Sequence, residues 1–304
     1  MFSGGMAEVY AIGLDIGGTK IKGCITDEHG VMVNRFETAT PVKEGRDGIL
    51  SAAAFVIDSL LTGTDKVMGI GIGSAGRINE QTGEVVFATA NLPGWQGFNL
   101  KTFFEAMYKL PVFAVNDANA ALWGEAQHYE EEDLVMLTLG TGVGGANRIR
   151  GNVLSGAHHQ SGEWGHVVLV PNGRPCNCGR RGCAEQYLSG TALNTIISER
   201  TSWKQVRGSA VFDLYAGGDP EVVPVVEEYM EHLGIFIENI GLGIDPDAVI
   251  IGGGMIESKE HWWNRLLKRV EGVRVIPAVL GNQAGMIGAA QLVFHSLKSG
   301  VSGR

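Results

Sequence analysis

The chain has 304 residues, 44% of them hydrophobic and 19% charged, which is enough for two domains of ordinary size and excludes a disordered polyelectrolyte. Twenty-four basic residues against 33 acidic give a net charge of −9, which repels polyanions and, with no basic patch in view, argues against nucleic acid as a partner. No run reaches the roughly 18 apolar residues of a membrane span, and Met1-Phe2-Ser3-Gly4-Gly5-Met6 lacks a basic region leading into a signal core, so a cytoplasmic protein without a membrane partner is expected.

Residues 9–16 are apolar, Gly17-Gly18 form a turn, and residues 19–26 make a second run, so the chain opens as a β-hairpin. Cys24 lies in the second run and reads as a core residue. A helix is predicted over 48–61, a strand over 67–72 ending in Gly73-Ser74-Ala75-Gly76, and another strand over 110–115. Asn116-Asp117 then hands over to a helix beginning near Asn119. Residues 134–139, a glycine-rich turn from Gly140 to Gly145, and residues 146–149 repeat the opening design, which suggests two structurally related halves.

Residues 221–240 carry Val222, Val226, Tyr229, Met230, Leu233, Phe236, Ile237 and Ile240 at helical spacing, a stripe that belongs to a core. Asp245-Pro246-Asp247 turns into a strand over 248–251 ending in Gly252-Gly253-Gly254, and 284–297 form a closing helix. Residues 1–8 and 299–304 read as loose ends. Strands that end in glycine clusters and feed helices describe an α/β protein with ligands at the carboxyl ends of its sheets, although any one cluster alone could be a plain turn.

Nine residues separate His166 from Cys176, which is followed by Cys178 and Cys183. Three thiolates and an imidazole in so short a span suit tetrahedral zinc. A disulfide with spare thiols is the competing assignment, and it leaves one cysteine unpaired while Cys176 and Cys178 are poorly spaced for bridging each other.

Taken together, Asp15-Ile16-Gly17-Gly18-Thr19-Lys20, Asn116-Asp117-Ala118-Asn119, Leu139-Gly140-Thr141-Gly142-Val143-Gly144-Gly145, Gly162-Glu163-Trp164-Gly165-His166 and the cysteine cluster resemble the ROK family of sugar kinases and sugar-responsive repressors, over nearly the whole chain. The resemblance implies an α/β, actin-like ATPase (ribonuclease H-like) two-domain fold. Residues 1–118, joined by a C-terminal helix over 284–304, would form one α/β domain, and 119–283 a larger one carrying the zinc site. It further implies an enzyme of carbohydrate metabolism and glycolysis, often a homodimer, that moves the γ-phosphate of ATP with Mg²⁺ to the 6-hydroxyl of a hexose. Glucose is the leading substrate; N-acetylmannosamine, N-acetylglucosamine, fructose and allose stand behind it, as does a non-catalytic sugar-sensing regulator. Two departures stand out. Ser74-Ala75-Gly76 replaces the Pro-Gly of many relatives but keeps the final glycine. The repressor branch carries a DNA-binding segment before the first strand, and about ten residues here are too short a lead for a helix-turn-helix, which favours the kinase branch.

Phosphoryl transfer asks a protein to align two oxygens and neutralise charge on the moving group. There is no Gly-x-x-x-x-Gly-Lys-Ser/Thr loop. Gly17 and Gly18, with Gly140-Thr141-Gly142, could instead offer backbone N–H groups to phosphate, helped by the hydroxyls of Thr19 and Thr141. Lys20 could add charge or be a solvated turn residue. Asp15, closing an apolar strand, reads as a partner for hydrated Mg²⁺ or as an acceptor of hydrogen bonds from the Gly-Gly turn. Asp117 is the candidate general base; the competing role is a helix cap, which Asn119 could fill instead.

By resemblance the sugar is held by Asn116, Asp117, Glu163, His166 and Glu185, with Asn91 and Thr89 contributing from a neighbouring loop, and Gly253 and Gly254 border the adenosine. His166 could bind zinc through one ring nitrogen and face the sugar with the other, so that zinc on His166, Cys176, Cys178 and Cys183 fixes Glu163 and Glu185. His158 and His159 are left as surface or packing residues.

Overall fold

The computed structural model describes residues 9–63, 66–89 and 91–298; the loose ends expected at both termini lie outside the described residues. In chain order the first elements are β1 (Tyr10–Ile16), β2 (Lys20–Asp27), β3 (Met32–Ala39), α1 (Gly45–Leu61), β4 (Val67–Ser74), β5 (Arg77–Asn79), β6 (Glu84–Phe87), α2 (Leu100–Tyr108), β7 (Val112–Asn116) and α3 (Asp117–Ala126). Then follow β8 (Leu134–Leu139), β9 (Val143–Ile149), β10 (Asn152–Val153), α4 (Glu185–Leu188), α5 (Gly190–Arg200), α6 (Ser209–Ala216), α7 (Val222–Ile244), β11 (Ala248–Gly252), α8 (Lys259–Leu267), β12 (Val275–Pro277) and α9 (Ala284–Lys298). The described residues divide into two compact units: those up to Gln127 with 155–160 and those from Gln283 onward, and the remainder, 128–154 and 161–282.

Each unit is built on a five-stranded sheet, ordered β3-β2-β1-β4-β7 in the first and β10-β9-β8-β11-β12 in the second. In both, the first three strands in sequence pair antiparallel and the last two run parallel to the first. The repeated design read from the two glycine-rich hairpins is therefore a repeated topology.

In the first unit the sheet is covered on both faces, which is why β1 and β4 are continuous apolar runs instead of alternating ones. Ile49, Ala53, Val56 and Leu60 of α1 are buried with Ile12, Leu14, Ile25 and Ile72 in one cluster. On the other face α9 comes so close to the sheet that a Cβ at Gly71 would collide with the Ala289 carbonyl. Helix α3 packs on α9 in the same way, with Gly288 against the Ala120 carbonyl. That packing keeps α3 in the first unit, past the boundary expected at residue 118. In the second unit all eight residues of the α7 stripe are buried, with Val135, Leu137, Val249 and Ile251 of the sheet in the same cluster. Helix α7 runs on to Ile244 and stops where Asp245 turns left-handed at φ 54°.

Candidate active site

In the first unit β1, β4 and β7 run parallel, and their register pairs Ile16 with Ser74 and Ser74 with Asn116. The carboxyl ends of the three strands therefore lie side by side and present Asp15, the loop after Ser74, and Asn116-Asp117 along one edge, where α/β sheets take ligands. Asn116 ends β7 in extended backbone and caps α3: its Oδ1 accepts from the N–H groups of Ala118 at 2.9 Å and Asn119 at 3.3 Å. The helix thus begins at Asp117, two residues before the sequence-based start, and the cap is neither Asp117 nor Asn119. Asn116 Nδ2 also donates to the Gly76 carbonyl at 2.9 Å, tying the Ser74-Ala75-Gly76 loop to the helix. Asp117 is left as the first helical residue, half-buried, with Oδ1 accepting from the Ala118 N–H at 2.9 Å.

Asp15 feels Asp117. Burial first and the Asp117 charge second raise its carboxyl from 3.8 to about 6, against the opposing pull of Lys22. Lys22 stands opposite Asp15 in the hairpin with Nζ 3.9 Å from Oδ2. The sequence reading did not single out Lys22, because a turn at Gly17-Gly18 alone pairs Asp15 with Lys20, whereas the turn spans Gly17 to Lys20 and brings Lys22 opposite Asp15. Lys20 points elsewhere, its Nζ bonded to Glu37 on β3 at 2.5 Å. Two close carboxylates with one lysine 3.9 Å from the first suit a hydrated divalent cation held through water.

The Gly17–Lys20 turn is closed by the Gly17 N–H donating to the Lys20 carbonyl at 3.0 Å. Thr40, another residue the sequence did not flag, braces it: its N–H donates to the Thr19 carbonyl and its hydroxyl to the Gly17 carbonyl. Asn91 lies beside Gly18, while the Thr89 carbonyl accepts from the Leu92 N–H at 3.2 Å to shape that loop.

In the second unit the loop after β8 is shorter than the sequence suggested. β9 begins at Val143, so Gly144 and Gly145 are strand residues and not turn residues. The reason lies in the neighbour: a Cβ at Gly145 would stand 2.5 Å from Trp164 and 2.9 Å from the Gly162 carbonyl, so the bare strand lets the segment carrying Glu163 and His166 lie against it. Glu185, first residue of α4, accepts from the Val143 N–H at 3.1 Å through Oε2 and so holds the Gly140-Thr141-Gly142 loop. The Gly140 carbonyl accepts from the Gly190 N–H at 2.7 Å. Thr141 and Glu185 share a polar cavity of about 210 Å³ with Arg174, Asn177, Ser189 and Thr191. Gly253 follows β11 at φ 83°, and any side chain there would drive into the backbone of Leu139, so Gly253 brings the ends of β11 and β8 together, while Gly254 has open space beside it.

His166, Cys176, Cys178 and Cys183 come together with their ligand atoms within 4.8 Å of one another, and all the cysteines are free thiols. Tetrahedral zinc sets S···S at about 3.8 Å and S···N at about 3.6 Å from its usual bond lengths. Cys178 Sγ to Cys183 Sγ is 3.6 Å and Cys176 Sγ to His166 Nδ1 is 3.7 Å, so the set could hold zinc. Burial, with the neighbouring sulfurs, pushes the Cys183 thiol up to about 12. Burial also opposes ionisation at Cys178, but hydrogen bonds from Arg180 hold it below its ordinary value. With Nδ1 facing the sulfurs, His166 turns Nε2 toward Glu163, 3.9 Å from Oε2.

Two five-stranded sheets of the same order, each with a glycine loop after its first strand, define an actin-like ATPase fold. The ROK family profile matches residues 11–296, and the chain belongs to that family. It is 34% identical to a glucokinase of Halalkalibacterium halodurans over 95% of this chain and 96% of the relative. An N-acetylmannosamine kinase of Yersinia pseudotuberculosis is 32% identical over 80% of this chain and 82% of its own. Among solved structures, a ROK family glucokinase from Streptomyces griseus in complex with glucose and AMPPNP superposes with a TM-score of 0.81 at 33% identity, covering 94% of this chain and 99% of that one.

Proposed function

We infer that this chain transfers the γ-phosphate of ATP to the 6-hydroxyl of glucose. The observation that carries the reading is Asp117, set at the first turn of α3 and at the carboxyl edge of the β1-β4-β7 strands, with Asn116 taking the capping duty. Similarity over nearly the full length to proteins named glucokinase supports the substrate and the donor.

A sugar hydroxyl is far less acidic than an aspartic acid, so Asp117 acts late: its carboxylate accepts a hydrogen bond from the hydroxyl, orients the oxygen, and takes the proton as the bond to phosphorus forms. Orientation is the larger contribution, about 7–11 kcal/mol at best, against about 10²–10⁴-fold from proton transfer. Asn116, Glu163, His166 and Glu185 supply directional hydrogen bonds to the ring hydroxyls, with Asn91 and Thr89 from the loop beside Gly18. Backbone N–H groups of 17–19 and 140–142 with the Thr19 and Thr141 hydroxyls receive the phosphates, and Gly253-Gly254 border the adenosine. Lys20, already paired with Glu37, contributes at most long-range charge.

Asp15 would hold Mg²⁺ through its water shell, and the cation would screen charge between the phosphates. His166, Cys176, Cys178 and Cys183 would hold a structural zinc, which would lock the His166 ring and through it the setting of Glu163. The assembly is a cytoplasmic homodimer working in glycolysis. Among the described residues no helix is long and apolar enough to cross a membrane.

N-acetylmannosamine is the second reading, supported by the 32% identity to a kinase of that name. Purified protein with Mg-ATP and a panel of glucose, mannose, fructose, allose, N-acetylglucosamine and N-acetylmannosamine decides between them by ADP release and product identification. Glucose 6-phosphate with the highest kcat/KM supports the reading; a preferred N-acetylhexosamine replaces it, and no ADP release with any sugar refutes both.

A further inference from the structure

A second polar cluster lies in the first unit, on the side of α3 that faces the β5–β6 turn. Glu80 follows β5, and its Oε1 accepts from Asn119 Nδ2 at 3.1 Å. The Ser155 hydroxyl donates to the same carboxylate, and His159 lies close enough for its charge to act on it. Asn119 is only 5% exposed, and its backbone N–H is one of the two donors held by the Asn116 cap. Ser155 and His159 belong to the segment 155–160, which is part of the first unit although the chain on either side of it belongs to the second. Three residues after this strap, along the chain, comes Glu163.

The cluster is a poor device for stability. Burial pushes the Glu80 carboxyl up from its ordinary value, so the charged form is disfavoured where it sits. Asn119 Oδ1 and His159 Nδ1 are buried with no hydrogen-bond partner, and His159 takes a left-handed backbone conformation at φ 55°. Buried polar groups left partly unpaired cost free energy, and their return is a fixed geometry. What Glu80 fixes is the first turn of α3, through the side chain of Asn119, and the strap, through Ser155.

We propose that Glu80 is a positioning residue for Asp117: by holding Asn119 and the 155–160 strap in one hydrogen-bonded cluster, it sets the first turn of α3 on which the Asp117 carboxylate is carried. The proposal rests on the assignment of Asp117 made above. Without the anchor, Asn119 must find another partner in a buried place, the first turn shifts or frays, and the Asp117 carboxylate loses its alignment while remaining present.

The test uses the full chain with Mg-ATP and glucose. Glu80→Ala is expected to lower kcat by about 10- to 10²-fold, the range that misalignment near 1 Å produces, while KM for ATP stays within about twofold. Glu80→Gln keeps an acceptor for the Asn119 amide and is expected to restore most of the turnover. Amide hydrogen exchange over 118–120 and 155–160 should quicken in Glu80→Ala and return toward wild type in Glu80→Gln. Asn119→Ala, as a second variant should Glu80→Ala fail to fold, is expected to show the same loss of kcat. Wild-type turnover in Glu80→Ala, or a Glu80→Gln variant as impaired as Glu80→Ala, overturns the proposal. A wild-type protein inactive on glucose refutes the functional reading instead, and unchanged exchange in Glu80→Ala then still overturns the anchoring.

Discussion

Replacing Asp15 by asparagine should make the metal-free protein more stable at neutral pH while removing its activity. Burial and the neighbouring Asp117 raise the Asp15 carboxyl from 3.8 to about 6, with Lys22 at 3.9 Å only partly compensating. That displacement penalises the ionised form by about 3 kcal/mol. Against it stands the first turn of α9, where Gly285 lies beside the carboxylate, and a helix N-terminus there returns about 0.3–1 kcal/mol to the ionised form. The net penalty removed by Asp15→Asn is therefore about 2 kcal/mol at pH 7.5. Its pH dependence follows from linkage: between 3.8 and about 6 the native state binds more protons than the unfolded chain, so wild-type stability from this group falls as pH rises through that window. At pH 3.8 the native carboxyl is protonated and the unfolded one half so, and the advantage of the variant shrinks to about 0.4 kcal/mol, vanishing only below that pH. Urea unfolding of both proteins at pH 7.5 and pH 4, with chelator and no nucleotide, measures the difference. A variant no more stable than wild type at pH 7.5, or equally favoured at both pH values, refutes the account of Asp15 as a strained carboxylate awaiting a cation.

Asp117→Asn should leave the helix cap on Asn116 and the fold intact while cutting turnover by at least about 10²-fold, checked by steady-state kinetics beside a thermal melt. Cys178→Ser, or prolonged chelation, should lower both the melting temperature and the affinity for glucose, measured by calorimetry on metal-loaded and stripped protein; unchanged affinity after loss of the metal would sever the link from zinc to Glu163. Gly253→Ala forces a side chain into φ 83° against the Leu139 backbone and should cost at least about 2 kcal/mol, read from urea midpoints.

Four strands of the first sheet and three of the second could be read from the chain because they are apolar runs, most of them bounded by glycines, and the duplicated strand–glycine–strand pattern announced the duplicated fold, while β3, β10 and β12 carried no such signal. The His166-Cys176-Cys178-Cys183 set was legible for a different reason: three thiols and an imidazole in a short span have few uses other than holding a metal. Asn116-Asp117 marked the end of a strand, but the sequence could not say which of three polar residues would cap the helix, since Asn116, Asp117 and Asn119 are all competent caps. Gly144 and Gly145 looked like turn residues because glycine at a strand interior and glycine at a turn are the same letter; only the segment packed against them tells the two apart. Lys22, Thr40 and Glu80 escaped notice because each acts through partners distant in sequence, Lys22 across a hairpin, Thr40 on a turn 23 residues away, and Glu80 on Asn119 at a separation of 39.

The central claim is that the Asp117 carboxylate steers the sugar oxygen that attacks phosphorus. A crystal structure of the chain with glucose and a non-hydrolysable ATP analogue tests it most directly. The account predicts an Asp117 oxygen within about 2.6–3.2 Å of the sugar 6-oxygen, with that oxygen facing the terminal phosphorus. A glucose bound with its 6-hydroxyl on another group, or an Asp117 carboxylate turned away from the sugar, would contradict it.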